Sequence, residues 1–126
     1  MDIVYKESFI VLEKPVEIMI TDTGAGINVL ICGGDRSHIG SVAACSPDTD
    51  VQLITFPGHR EDVICRKWAE TLSDGLNESV VVLAGIHYDS INKEEIQVIL
   101  DILDEKLAKI LQHFSKNTLQ IQNEPI

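Results

Sequence analysis

The segment CGGDRSHIG, Cys32 to Gly40, gathers three glycines, an arginine, a histidine and an aspartate between two apolar runs, Ile27 to Ile31 and Ile39 to Cys45. Gly33 and Gly34 permit positive φ and close approach to the main chain, so their amides are candidates to face an anion in a concave nest. Arg36 adds a planar fork that suits phosphate or carboxylate better than lysine does. Two further segments, FPGHRED and AGIHYDS, repeat the mixture of glycine and histidine at apparent strand ends. His59 and Arg60 fall at a helix N-terminus, where unpaired amides receive an anion. Gly85 permits close approach while His87, Tyr88 and Asp89 project polar groups. The chemistry these residues suit is the holding of a small anion, with histidines as polar contacts or proton-transfer groups. The plain alternative is that the glycine-rich loops are turns whose polar residues face water.

Other chemistries find less support. His38, His59 and His87 could converge on a metal, but no HxH or HExxH spacing supports it, and no metal site is expected. Asp35, Ser37 and His38 carry the residue types of a nucleophilic triad, yet lie too close in sequence for that geometry, and GxSxG is absent. GGDRSHIG lacks the GK[ST] ending of a P-loop, and GAG at Gly24 to Gly26 opens no helix pattern, which argues against a dinucleotide fingerprint.

With 126 residues the chain fits one domain that buries a core without staples, here bounded as residues 1–114 with a tail over 115–126. Twenty acidic against ten basic residues give a formal charge of -10, which excludes a general nucleic-acid surface and makes any anion site local. MDIVYKES does not read as a secretory leader, and no run approaches the ~20 apolar residues of a membrane span, so the expectation is a cytoplasmic protein without a membrane partner. Cys32, Cys45 and Cys65 are odd in number and widely spaced, and read as small buried thiols.

The elements that must position the loops follow from period and punctuation. Val4 to Leu12 and Val16 to Thr21 read as strands separated by Pro15, and DTGAG joins the second to Ile27 to Ile31 as a hairpin. Ile39 to Cys45 is a strand of small side chains, and Val51 to Phe56 is the next. Ile64, Cys65, Trp68, Ala69, Leu72 and Leu76 share a helix face that Gly75 is expected to close. VVVLA, Val80 to Ala84, reads as a central strand covered on both faces, reached by a βαβ crossover if it runs parallel to the preceding strand. Asn92 and Glu95 form a capping box before a long helix with a seam at Ile96, Leu100, Leu103, Leu107, Ile110 and Phe114. Its wide apolar face and the small-residue strand predict a homo-oligomer. From Ser115 the periodicity fades, which predicts a frayed end or a packing arm.

The ordered combination GGDRSHIGSVAAC, FPGHRED and VVVLAGIHYDSINKEEI resembles the LpdD-like family of prenylated-flavin chaperones, itself similar in fold to proteasome-assembly chaperones. The resemblance covers roughly residues 8–112. It implies binding of prenylated flavin mononucleotide and its storage, maturation or delivery to a UbiD-type decarboxylase as client. The family pattern falls on Gly34, His38, Ile39 and Gly40, on Gly58 and His59, and on Gly85, Ile86 and His87, with Ser37 standing where a proline precedes the first histidine. The residue reading alone adds only that an anion can be held by the loop amides and Arg36, which is compatible with the phosphate of a flavin or an AMP-like nucleotide but does not demand flavin; the candidate cofactor contacts are Gly33, Gly34, Arg36, Ser37, Arg60 and the loop histidines with the family-pattern residues. The expected fold is α/β: an antiparallel N-terminal sheet, then β-α-β, then a long C-terminal helix, in two layers. The expected function is noncatalytic cofactor binding, with a protein-only assembly chaperone and a histidine-dependent nucleotide enzyme as alternatives.

Overall fold

The computed structural model describes residues 1–58 and 60–122, with side chains through residue 115. Its elements are β1 (Asp2–Val11), β2 (Lys14–Asp22), β3 (Ile27–Gly34), β4 (Arg36–Cys45), β5 (Gln52–Thr55), α1 (Asp62–Leu76), β6 (Val80–His87) and α2 (Lys93–Gln122). They form a mixed α/β domain around a six-stranded sheet of order β1-β2-β3-β6-β4-β5. Among the described residues, only β3 and β6 pair in parallel, and every other neighbouring pair is antiparallel. The expected crossover therefore exists with a skipped place: β5 and β6 run the same way, but β4 lies between them.

Local chemistry explains the turns. At DTGAG, the Asp22 carboxylate accepts from the Gly24 amide, and the Thr23 amide and hydroxyl both donate to the Gly26 carbonyl, which closes the β2-β3 hairpin. The β1-β2 turn is made differently from the sequence expectation. Leu12 and Glu13 sit at φ 50° and 69°, while Pro15 lies inside β2 opposite Ile10. Two successive positive φ values match the right-handed strand twist, but asparagine and glycine usually mark such turns, so these two residues carried no signal. Helix α1 ends on Asn77 at φ 54°, not on Gly75. Gly75 instead leaves room for the Leu111 side chain of α2, which a Cβ there would strike.

The core lies between the sheet and both helices. Ile20, Val29, Val82 and Ala43 form one row across β2, β3, β6 and β4, and all are fully buried. Trp68 and Leu72 of α1 and Leu103, Leu107 and Ile110 of α2 cover that face. The capping box of α2 is present: Asn92 Oδ1 accepts from the Glu95 amide at 2.8 Å, and Glu95 Oε1 from the Asn92 amide at 3.1 Å. Its buried seam begins at Ile99, whereas Ile96 is 43% exposed, because the first turns overhang the sheet end. The helix continues to Gln122, past the expected boundary at residue 114, and residues 123–126 lie outside the described residues. One expectation fails clearly. VVVLA is not covered on both faces: Val80 and Val82 are buried, while Val81 is 37% exposed on the side opposite the helices.

Candidate functional site

β3 and β6 end side by side, with Gly33 opposite Ile86 and Gly34 opposite His87. To reach β4, on the far side of β6, the chain must cross the end of β6. It does so on Asp35, whose amide donates to the His87 carbonyl at 2.7 Å, and Arg36 then pairs with His87 from the other side. The two glycines make this crossing possible. Gly34 sits at φ 84°, and a Cβ there would fall on the His87 carbonyl, as one on Gly33 would fall on the Pro15 carbonyl. The close approach they permit is thus made by the chain's own carbonyls, and the GGDR stretch is a strap over the end of β6.

Beyond the strap, β4 bulges. Its register against β6 shifts between Ser37 and Ser41, which lays the His38 carbonyl over Gly85. No other residue at 85 leaves room for that carbonyl. Gly40 accepts the Phe56 amide at 2.8 Å, Ile39 is exposed, and Gly58, at φ 83°, has open space where a Cβ would stand.

Side chains from four segments meet around this end of the sheet. Arg36 Nη2 lies 3.0 Å from His87 Nε2, and Asp89 Oδ1 lies 2.8 Å from the same nitrogen. A single ring nitrogen cannot serve both: protonated it donates to Asp89, and unprotonated it accepts from Arg36. The Asp89 amide donates to Asp35 Oδ2 at 2.8 Å, and Lys14 Nζ is 3.3 Å from Oδ1. That amide first, and then Lys14, hold the Asp35 carboxyl below its ordinary range. His38 Nε2 sits 3.0 Å from Glu61 Oε1, where α1 begins. The His38 and His87 rings are 6.0 Å apart, edge to face. Tyr88 donates to the Val11 carbonyl at 2.7 Å, and burial, then the Asp35 charge, raise its pKa. His59 lies outside the described residues.

A cleft of about 750 Å³ opens beside this cluster, between the start of α1, the end of β6 and the start of α2. Gly58, Arg60, Glu61, His87 and Tyr88 form its polar side, and Ile64, Ile86, Ile91, Ile96, Ile99 and Leu100 its apolar side. Its size and mixture are those of small-molecule sites, which span about 300–1,000 Å³. The sequence reading singled out Gly58, Arg60, Ile86 and His87, which line this cleft, and it missed Glu61. It also missed Ile64, Ile91, Ile96 and Ile99, whose period marks them as core and carries no sign of a cavity. Among the described residues, no group of three or more His, Cys, Asp or Glu is placed to hold a metal ion.

A family model described as the prenylated flavin chaperone LpdD-like domain matches residues 12–115. The chain is 24% identical over 104 residues to Protein LpdD of Lactiplantibacillus plantarum, a match covering 79% of this chain and 76% of that protein. Among solved structures it is similar to a chain of a chaperone complex for yeast 20S proteasome assembly, with a TM-score of 0.49 and 14% identity, over 84% of this chain and 94% of that one.

Proposed function

This chain belongs to the LpdD-like family of prenylated flavin chaperones, and from that premise we propose that it holds prenylated flavin mononucleotide in the cleft beside His87 and releases it to a UbiD-type decarboxylase. The observation that carries the reading is the pairing of an isoleucine wall with an arginine at the rim. Ile64, Ile86, Ile91 and Ile99 offer a flat apolar ring system the dehydrated surface it needs, while Arg60 lines the cleft and Arg36, hydrogen-bonded to the cleft residue His87, stands beside it, and on this reading the two hold the phosphate. When bound, such a flavin supplies electron-sink chemistry, and the client enzyme puts that chemistry to use. The chaperone's own residues bind, orient and exclude water.

The rim also suits release. Glu61 and Asp62 stand beside Arg60, and Asp35 and Asp89 beside Arg36, so each arginine is outnumbered by neighbouring carboxylates. A carrier that must part with an anionic cofactor gains from such a balance, because tight phosphate capture would slow transfer. The reading is noncatalytic: the cofactor is held and passed on unchanged.

Absorbance tests it directly. Co-expression with a flavin prenyltransferase is expected to yield coloured protein, and titration with flavin mononucleotide is expected to saturate at one site. Arg36→Ala and Arg60→Ala each remove a charge-assisted hydrogen bond worth about 1.5–3 kcal/mol, so affinity is expected to fall roughly tenfold or more with the melting temperature little changed. Colourless protein, or titration curves unchanged in both variants, would refute the assignment.

A further inference from the structure

Both helices pack on one side of the sheet, and the other side is left open. That open side is apolar where it should be polar. Met19, Leu30, Leu83, Val42 and Ile54 stand directly opposite one another across β2, β3, β6, β4 and β5, in one unbroken row. Val81 and Ala44 lie in the next row, paired across β6 and β4. A sheet with one solvated face alternates apolar-in with polar-out, and these strands do not. A contiguous exposed apolar patch of this kind marks an interaction surface.

We propose that a second copy of this chain covers the face, sheet against sheet, in a two-fold dimer. Charge favours a copy over a foreign partner. The chain carries -10 overall, yet on β1 and β2, where the open face does become charged, Lys6 and Glu17 offset one another. Two such faces carry no net charge against each other, so they meet without local repulsion. Symmetry favours it too. An isologous contact requires a patch complementary to itself, and a row that is apolar at every member satisfies this without a matching set elsewhere. Size is sufficient. With strands roughly 4.8 Å apart and about 3.3 Å per residue, the face spans roughly 24 by 20 Å, or about 500 Å² in projection. Two such faces clear the roughly 1,000 Å² in total that a specific interface needs. Aligned packing at roughly 10 Å separation is the ordinary way for two twisted sheets to close.

Sedimentation equilibrium across nanomolar to high micromolar protein tests this. Ile54 and Val81 are 62% and 37% exposed, so lysine at both positions leaves the core intact. Wild type is expected to be a dimer at low micromolar concentration. The double variant Ile54→Lys, Val81→Lys is expected to dissociate at least a hundredfold more readily, with an unchanged circular dichroism spectrum. Val98→Lys, at a 42% exposed position on α2, is expected to remain dimeric. A wild type that stays monomeric at high micromolar concentration overturns the proposal and leaves the face to a different protein. Dissociation by Val98→Lys alone overturns it equally, because the contact would then lie on α2. Neither lysine position lines the cleft, so flavin titration of the same variants reports on cofactor binding separately.

Discussion

Gly85 is where the two histidine-bearing strands constrain each other. The bulge in β4 exists because residues 38–40 cannot keep register with β6, and it sets the His38 carbonyl where a side chain at 85 would be. Gly85→Ala is therefore expected to cost about 2–4 kcal/mol, in the range of overpacked cores and strained backbones. It is also expected to move His38 away from Glu61. Thermal unfolding measures the first effect, and the chemical shifts of the His38 ring the second. A different side chain is silent for a related reason. Cys65 is buried under β4, its thiol donates to the Ser41 carbonyl, and burial pushes its pKa up to about 12. Iodoacetamide attacks thiolate, so Cys65 is expected to stay unlabelled in native protein at neutral pH and to label fully in denaturant, as peptide mapping would show.

An ion pair helps to dock α2 on β1. Lys106 binds the Glu7 carboxylate and lies 4.5 Å from the centre of the Phe9 ring, and Tyr5 donates to Glu7 from the other side. Lys106, and then Tyr5, lower the Glu7 pKa from its ordinary value of 4.5. A lowered carboxyl pKa adds stability that is fully present above the ordinary value and is lost as pH falls through the lowered one. Lys106→Met is expected to cost about 1 kcal/mol at neutral pH, between a surface pair and a buried one. The difference from wild type is expected to shrink as pH drops below about 4.5, where the Glu7 charge goes. Urea titrations of both proteins at neutral and acid pH check the sign. A constant gap would show that packing on Phe9, and not the charge, is responsible.

Net charge governs how copies of the chain meet. At -10 two copies repel each other as whole molecules even where the facing surfaces are neutral, so salt is expected to tighten self-association by screening that repulsion. The dimer dissociation constant is expected to fall several-fold between low and physiological ionic strength. Lowering the pH toward the isoelectric point near 4.6 acts in the same direction until acid unfolding intervenes. Light scattering at fixed protein concentration follows both. A flavin phosphate behaves oppositely, since salt weakens its contacts with Arg36 and Arg60.

Period and punctuation in the chain already specify the strands, both helices, the β2-β3 hairpin and the capping box, because these depend on residues a few places apart. The glycine pattern likewise marks two places where the backbone turns sharply, since glycine tolerates the φ of Gly34 and Gly58 far better than other residues do. Partners distant in sequence could not be read that way. Glu61 meets His38 from 23 residues on, and Arg36 meets His87 from 51. Both contacts exist only because β3 and β4 flank β6, an order of strands that no local pattern encodes. The same holds for the isoleucines of the cleft. Their spacing states that they are buried on something, and only the way α2 overhangs the sheet end decides that Ile91, Ile96 and Ile99 border a cavity. VVVLA shows the limit most plainly: an apolar run records that both of its faces avoid water, and the folded chain supplies cover for only one.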